Sequence, residues 1–146
     1  LNKNKMYGTM GSKEVKISMF GDIGVGKTSV VTRFVKNEIY DEFFDDEYLD
    51  KIHEKVVIYD NSSIVMKILD NGHKFESENS IINENCKFGD CYIVMYSITN
   101  KNTFEYVKNK IIPNIVSNVK NINFGLYYKP IILCGNKIDV PYHRRE

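Results

Sequence analysis

Alanine, tryptophan and glutamine do not occur among the 146 residues, and cysteine, proline and histidine occur three times each. Cys86, Cys91 and Cys134 are an odd number with no CxxC spacing, which argues against a disulfide framework or a thiolate metal site. Two of them lie in apolar strand-like runs, and all are expected as buried reduced thiols. Neither sign of charge dominates: twenty Lys and Arg against nineteen Asp and Glu give a formal charge of +1. That balance argues against nucleic acid or an anionic membrane as the main partner. No apolar run approaches the length of a membrane span, and residues 1–14 are polar and lysine-rich without a signal-peptide centre. The expectation is an intracellular, cytosolic chain.

What is present is a globular composition, 42% hydrophobic and 27% charged. Asn, Lys and Ile are abundant, but the Asn residues alternate with periodic apolar ones, so a folded domain with polar loops is expected over residues 15–146, after a loose leader at 1–14. Val15–Phe20 alternates like a strand and runs into the glycine-containing segment GDIGVGKTS. From Thr28 to about Asn37, the apolar residues Val30, Val31, Phe34 and Val35 form the stripe of a helix. Residues 38–53 are acidic and aromatic without periodicity and read as a long loop. Lys55–Tyr59 and Ile64–Leu69, joined by Asp60-Asn61-Ser62-Ser63, read as a hairpin. A short helix is expected near Glu78–Asn85. Cys91–Ile98 reads as a central strand buried on both faces. The stepping of Phe104, Val107, Ile111, Ile115 and Val119 predicts a helix over 102–119, bent or broken at Pro113. Pro130–Gly135 is the last strand. Strands alternating with helices imply an α/β fold with a parallel or mixed sheet, covered on both faces, and ligand loops at the carboxyl ends of the strands.

Three segments carry chemistry. Gly21-Asp22-Ile23-Gly24-Val25-Gly26-Lys27-Thr28 fits G-x-x-x-x-G-K-[ST], followed by Ser29. Glycines let backbone N–H groups converge on a phosphate, and the next helix adds its positive N-terminus. Lys27 then bridges the β- and γ-phosphates and the Thr28 hydroxyl holds Mg²⁺. Asn136-Lys137-Ile138-Asp139 follows the last strand. The Asp139 carboxylate can accept the N1–H and N2–H of guanine together, which adenine does not offer. The Asn136 amide suits the purine N7 edge while helping to fix the loop, and the Lys137 stem can lie along the base. Between these segments, Asp70 ends the apolar strand IVMKIL; alone it is an ordinary turn residue, but in this company it reads as a carboxylate holding Mg²⁺ through water.

GDIGVGKTS, RFVKNE, IVMKILDNG, CYIVMYSITNKNTFEYV and CGNKID stand in the order of the Ras superfamily of small GTPases, which this sequence resembles over roughly residues 15–140. Its phosphate loop and RFVKNE look Rab-like, whereas KVVIYDNSSIVMKILD looks Ras-like. The resemblance implies a P-loop NTPase fold, mostly parallel with one antiparallel hairpin strand. It also implies a GTP/GDP switch with Mg²⁺, whose loops at 38–53 and 70–85 are read by effector and regulator proteins.

The sequence departs from that family at several points. No Thr lies between Thr32 and Thr99, so the family's Mg²⁺-ligating switch threonine is missing, and ungapped counting puts Asp46 there. Ile39 replaces the base-packing aromatic, with Tyr40 beside it. In place of D-x-x-G-Q stands Asp70-Asn71-Gly72-His73-Lys74, so the water-positioning glutamine is absent. Lys74 holds its ungapped position, and His73 is the candidate for orienting water. Ile23 replaces a common glycine where water and an arginine finger approach. Slow intrinsic hydrolysis is expected, since phosphoryl transfer depends on positioning and charge stabilisation. After NKIDV only Pro141–Glu146 follow, so the family's later elements, including the base-contacting Ser-Ala loop, are not in this chain. The domain therefore reads as incomplete at its C-terminus, with Ile131–Cys134 as an exposed apolar edge. This chain carries no C-terminal lipidation cysteine. The alternatives are a pseudo-GTPase scaffold that binds nucleotide weakly or not at all, and an ATP-using P-loop enzyme, for which acceptor-substrate residues are missing.

Overall fold

The computed structural model describes residues 13–39, 51–71, 78–123 and 128–145. Among these residues five strands form one sheet in the order β2-β3-β1-β4-β5. The strands are β1 (Lys13–Gly21), β2 (Lys51–Tyr59), β3 (Ser62–Asp70), β4 (Cys91–Ser97) and β5 (Ile131–Asn136). β1 is parallel to both β3 and β4, β4 is parallel to β5, and β2 runs antiparallel to β3. This is the expected mostly parallel α/β sheet with one antiparallel hairpin strand. Helix α1 (Lys27–Lys36) covers one face. Against the other lie α2 (Glu78–Phe88), then α3 (Lys101–Tyr106), a wide π-helical turn (Val107–Ile111) and α4 (Ile112–Asn123). No helix among the described residues is long and apolar enough to cross a membrane.

Alternation along β1 divides the core. Ile17 and Met19 join Val25, Val31, Ile68 and Met95 beneath α1. Phe20 points into the second cluster with Tyr92, Val94, Val107, Ile111 and Ile115. There the Phe20 and Tyr92 rings meet edge to face, 5.8 Å apart at 72°. The Tyr92 hydroxyl donates to the Cys86 carbonyl at 2.8 Å, and Lys129 Nζ donates to the carbonyls of Cys86 and Gly89 at 3.0 and 2.7 Å. The open carbonyl end of α2 is thereby satisfied by side chains from β4 and from the segment before β5.

Several expectations shift for physical reasons. The hairpin turn has two residues, not four, because Asp60 and Asn61 both adopt positive φ, 48° and 57°, the combination a type I′ turn requires. That twist matches the strands, so pairing runs from Tyr59↔Ser62 to Lys51↔Asp70. Lys51, Ile52 and His53 consequently belong to β2 and not to the loop assigned to 38–53. β1 begins at Lys13, so residues 13 and 14 lie in the sheet, where Glu14 pairs with Lys67 at 2.8 Å. Helix α2 runs three residues further than the expected Asn85.

The irregularity caused by Pro113 lies in the turn before it. Proline offers no N–H to the Asn109 carbonyl and its ring crowds that group, so the preceding turn widens to π geometry and the helix continues to Asn123. On α1, Val31 and Thr32 are buried, whereas Val30 and Phe34 stay about two-fifths exposed at 41% and 40%. The Lys55 ammonium sits 4.4 Å from the Phe34 ring centroid and also donates to the Phe34 carbonyl. Of the three thiols only Cys86 is buried; Cys91 is half-buried and Cys134 is exposed. The reason is position: Cys134 lies on β5, whose only neighbour among the described strands is β4, and on β5 Ile132 too is 52% exposed. The apolar edge expected at Ile131–Cys134 is therefore observed.

Candidate functional site

The loop Gly21–Gly26 leaves the carboxyl end of the central strand and enters α1, which has no acidic residue in its first turn. No carboxylate in that first turn opposes the helix's positive end, which favours an anion there. Gly26 is the N-cap at φ 97°, in left-handed backbone, and a Cβ there would lie 2.4 Å from Asn136 Nδ2. Gly24, at φ 73°, is also left-handed. Val25 is fully buried and pins the loop to the core, while Ile23 is 45% exposed at its rim.

Lys27 reaches back across the loop, its Nζ donating to the carbonyls of Gly21 and Asp22 at 2.9 and 3.0 Å. The ammonium is thus held inside the curve of the loop. The Asp22 carboxylate accepts from the Ile23 N–H at 2.7 Å. Thr28 is half-buried and Ser29 exposed at the first turn of α1.

The second loop comes from the other side of β1. Asn136 is the last residue of β5, and its Nδ2 donates to the Val25 carbonyl at 2.8 Å, joining positions 111 residues apart. Its own carbonyl accepts from the Ile98 N–H at 3.1 Å. Lys137, half-buried, adopts φ 67°, and the turn closes with the Val140 N–H donating to its carbonyl at 3.1 Å; Asp139 is exposed. One side chain therefore brings the glycine loop and the N-K-x-D loop together. The pairing was not legible in the sequence, where Asn136 read chiefly as a partner for a purine edge.

Asp70 ends β3, one step past the Ser18↔Leu69 pair, beside the strand from which the glycine loop departs. It is only 4% exposed, and its Oδ1 has no hydrogen-bond partner among the described residues. A buried carboxylate oxygen left without a donor is unfavourable in isolation. It fits a cation or its water shell at this strand end, so the residues present suit Mg²⁺. A small open cleft lies beside the loop, lined by Ile23, Lys27, Asn71, Ile81, Tyr106 and Ile111. Asp46, Tyr40, Gly72, His73 and Lys74 lie outside the described residues, as does most of the stretch 38–53. Among the described residues no cluster of three or more His, Cys, Asp or Glu could hold a metal by side chains alone.

Comparison with known proteins bears on this geometry. A profile described as Ras family matches residues 16–145. "Ras-like protein 2" of Mucor circinelloides f. lusitanicus is 31% identical over 134 residues, covering 91% of this chain and 63% of that protein. "Ras-related and estrogen-regulated growth inhibitor" of Homo sapiens is 31% identical over 136 residues, 92% of this chain and 62% of that protein. "GTP-binding protein Rheb homolog" of Drosophila melanogaster is 30% identical over 135 residues, 92% of this chain and 69% of that protein. The chain thus spans less than two thirds of the length of the first two of these relatives.

Proposed function

Since the chain belongs to the Ras family of small GTPases, we propose that it is a guanine-nucleotide switch that binds GTP and GDP with Mg²⁺ and hydrolyses GTP slowly. The observation that carries this reading is the Asn136–Val25 hydrogen bond, which sets the phosphate-type loop and the N-K-x-D loop side by side at one end of the sheet. A ligand long enough to touch both needs phosphates at one end and a purine at the other.

In this reading the loop N–H groups from Asp22 to Ser29 surround the phosphates and Lys27 turns from the loop carbonyls toward the β- and γ-phosphates. Thr28 and Asp70 hold Mg²⁺, which neutralises phosphate charge. Lys137 lies along the base and Asp139 accepts from guanine N1–H and N2–H. Lys27 stabilises charge during transfer, and His73 and Lys74 are the side chains available to orient water where the family has glutamine. Ile23 at the rim leaves less room for that water or for an arginine finger. The domain takes in β1 from Lys13 and runs on to residue 146, with a leader before it. The stretches 38–53 and 70–85 are the surfaces for effectors and regulators, in the cytosol or at a membrane periphery.

The test is titration of fluorescent GDP and GTP analogues with and without Mg²⁺, alongside Lys27→Ala. Tight binding that needs both Mg²⁺ and Lys27 is the expected result; its absence in a folded chain overturns the reading. The missing threonine and glutamine favour a second reading, a scaffold that holds nucleotide without cycling. Single-turnover hydrolysis with and without activating proteins separates the two, and no cleavage under either condition selects the scaffold.

A further inference from the structure

The N-K-x-D loop is secured at its far end by a residue that belongs to no motif. Arg145 folds back over the loop, its Nε donating to the Val140 carbonyl at 2.9 Å and its Nη2 to the Ile138 carbonyl at 2.6 Å. Those carbonyls flank Asp139 on either side. A guanidinium is planar, rigid and always charged, so one group fixes the separation and direction of both acceptors. Only the soft dihedrals of Asp139 and Val140 lie between them.

Arg145 is itself held in place. Its backbone N–H donates to the Tyr142 carbonyl at 3.1 Å, closing the short 3₁₀ turn Tyr142–Arg144, and its guanidinium lies 5.9 Å from the Tyr142 ring centroid. Pro141, at φ −53°, restrains Val140 before it. Asn136 anchors the start of the loop and Arg145 its end, with Asp139 in between.

We propose that Arg145 is a positioning residue for base recognition, setting the placement of Asp139 and with it the chain's preference for a purine bearing an exocyclic 2-amino group. This rests on the guanine-nucleotide reading above and extends it to a residue outside the binding motifs. The physical reason is the bidentate contact: a carboxylate must meet N1–H and N2–H together, and a small displacement sacrifices one of them. Hypoxanthine keeps N1–H but lacks the amino group. A displaced Asp139 therefore weakens GDP binding more than IDP binding, while the phosphate contacts of the two ligands are the same.

The experiment measures dissociation constants of GDP, IDP and ADP for the wild-type chain, Arg145→Ala, Arg145→Lys, Asp139→Asn and the Arg145→Ala/Asp139→Asn double variant, with circular dichroism to check folding. The GDP-to-IDP preference is expected to fall roughly tenfold in Arg145→Ala, the effect of losing about one charge-assisted hydrogen bond. Arg145→Lys falls in between, because an ammonium does not span both carbonyls. Adding Arg145→Ala to Asp139→Asn changes the preference no further, as a residue acting through Asp139 requires. An unchanged preference in folded Arg145→Ala, or equal losses for GDP and IDP, overturns the inference and makes Arg145 a structural pin. Should Arg145→Ala not fold, an unchanged preference in Arg145→Lys has the same force. A wild-type chain that does not prefer GDP to ADP overturns the guanine reading itself, before any variant is compared.

Discussion

The Asn136 side-chain amide and the Val25 carbonyl, 2.8 Å apart, form the joint between the loop after β5 and the loop after β1. Asn136→Ala leaves that carbonyl without its donor, at a stability cost of about 1–3 kcal/mol. Both loops lose their common anchor, so guanine-nucleotide affinity is expected to fall at least about tenfold. Thermal melting together with nucleotide titration checks this; a variant with wild-type affinity would mean that each loop is ordered by itself.

Gly26 lies against the same joint. In Gly26→Ala the new Cβ meets Asn136 Nδ2 at 2.4 Å in a backbone held at φ 97°. Left-handed strain alone is of the order of 1–3 kcal/mol, and the contact adds to it. The variant should melt lower than Gly24→Ala, whose Cβ meets nothing within 4 Å although its φ of 73° is also left-handed. The order of the two melting temperatures decides the point.

Asp70 separates a metal role from a turn role. With Oδ1 buried and unpartnered among the described residues, Asp70→Asn removes an unfavourable buried charge. The Mg²⁺-free, nucleotide-free chain should therefore melt at the wild-type temperature or above it. The same substitution should cut the Mg²⁺ dependence of nucleotide affinity about tenfold or more. Undiminished Mg²⁺ dependence would return Asp70 to an ordinary turn.

The thiols give a pH prediction. Burial pushes Cys86 up from 9.0 to about 11, with Lys129 and the Tyr92 hydroxyl opposing the shift. The folded chain therefore keeps a proton that the unfolded chain loses first, so stability is intact below pH 9 and declines from there through about pH 11. Burial raises Tyr92 as well, extending the loss to higher pH. Melting temperatures in that window should fall less for Cys86→Ser, after allowance for its lower starting stability. At neutral pH a maleimide should label exposed Cys134 well before Cys86.

Local patterns carried much of this protein. The spacing of GDIGVGKT and NKID, the alternation of Val15–Phe20, the apolar run Cys91–Ile98 and the three-to-four stepping from Phe104 to Val119 are short-range signals. Each is set by backbone geometry and side-chain direction within one element, so they were legible without a fold. The same holds for what is lacking, since no alignment supplies a glutamine or a switch threonine that the chain does not contain.

Only the tertiary structure decided which residues meet. The two-residue turn at Asp60-Asn61 depended on backbone angles that Asn and Asp permit without dictating. The side-chain bonds from Tyr92 and Lys129 to the carbonyls at the end of α2 depended on how β4 and the segment before β5 pack against that helix. Asn136 reaching Val25, and Arg145 returning to Ile138 and Val140, each depend on where a strand end or a short turn lies in space. A hydrogen bond between positions 111 residues apart leaves no periodicity for a sequence to display; it exists because the sheet sets β1 and β5 on either side of β4, with their carboxyl ends together.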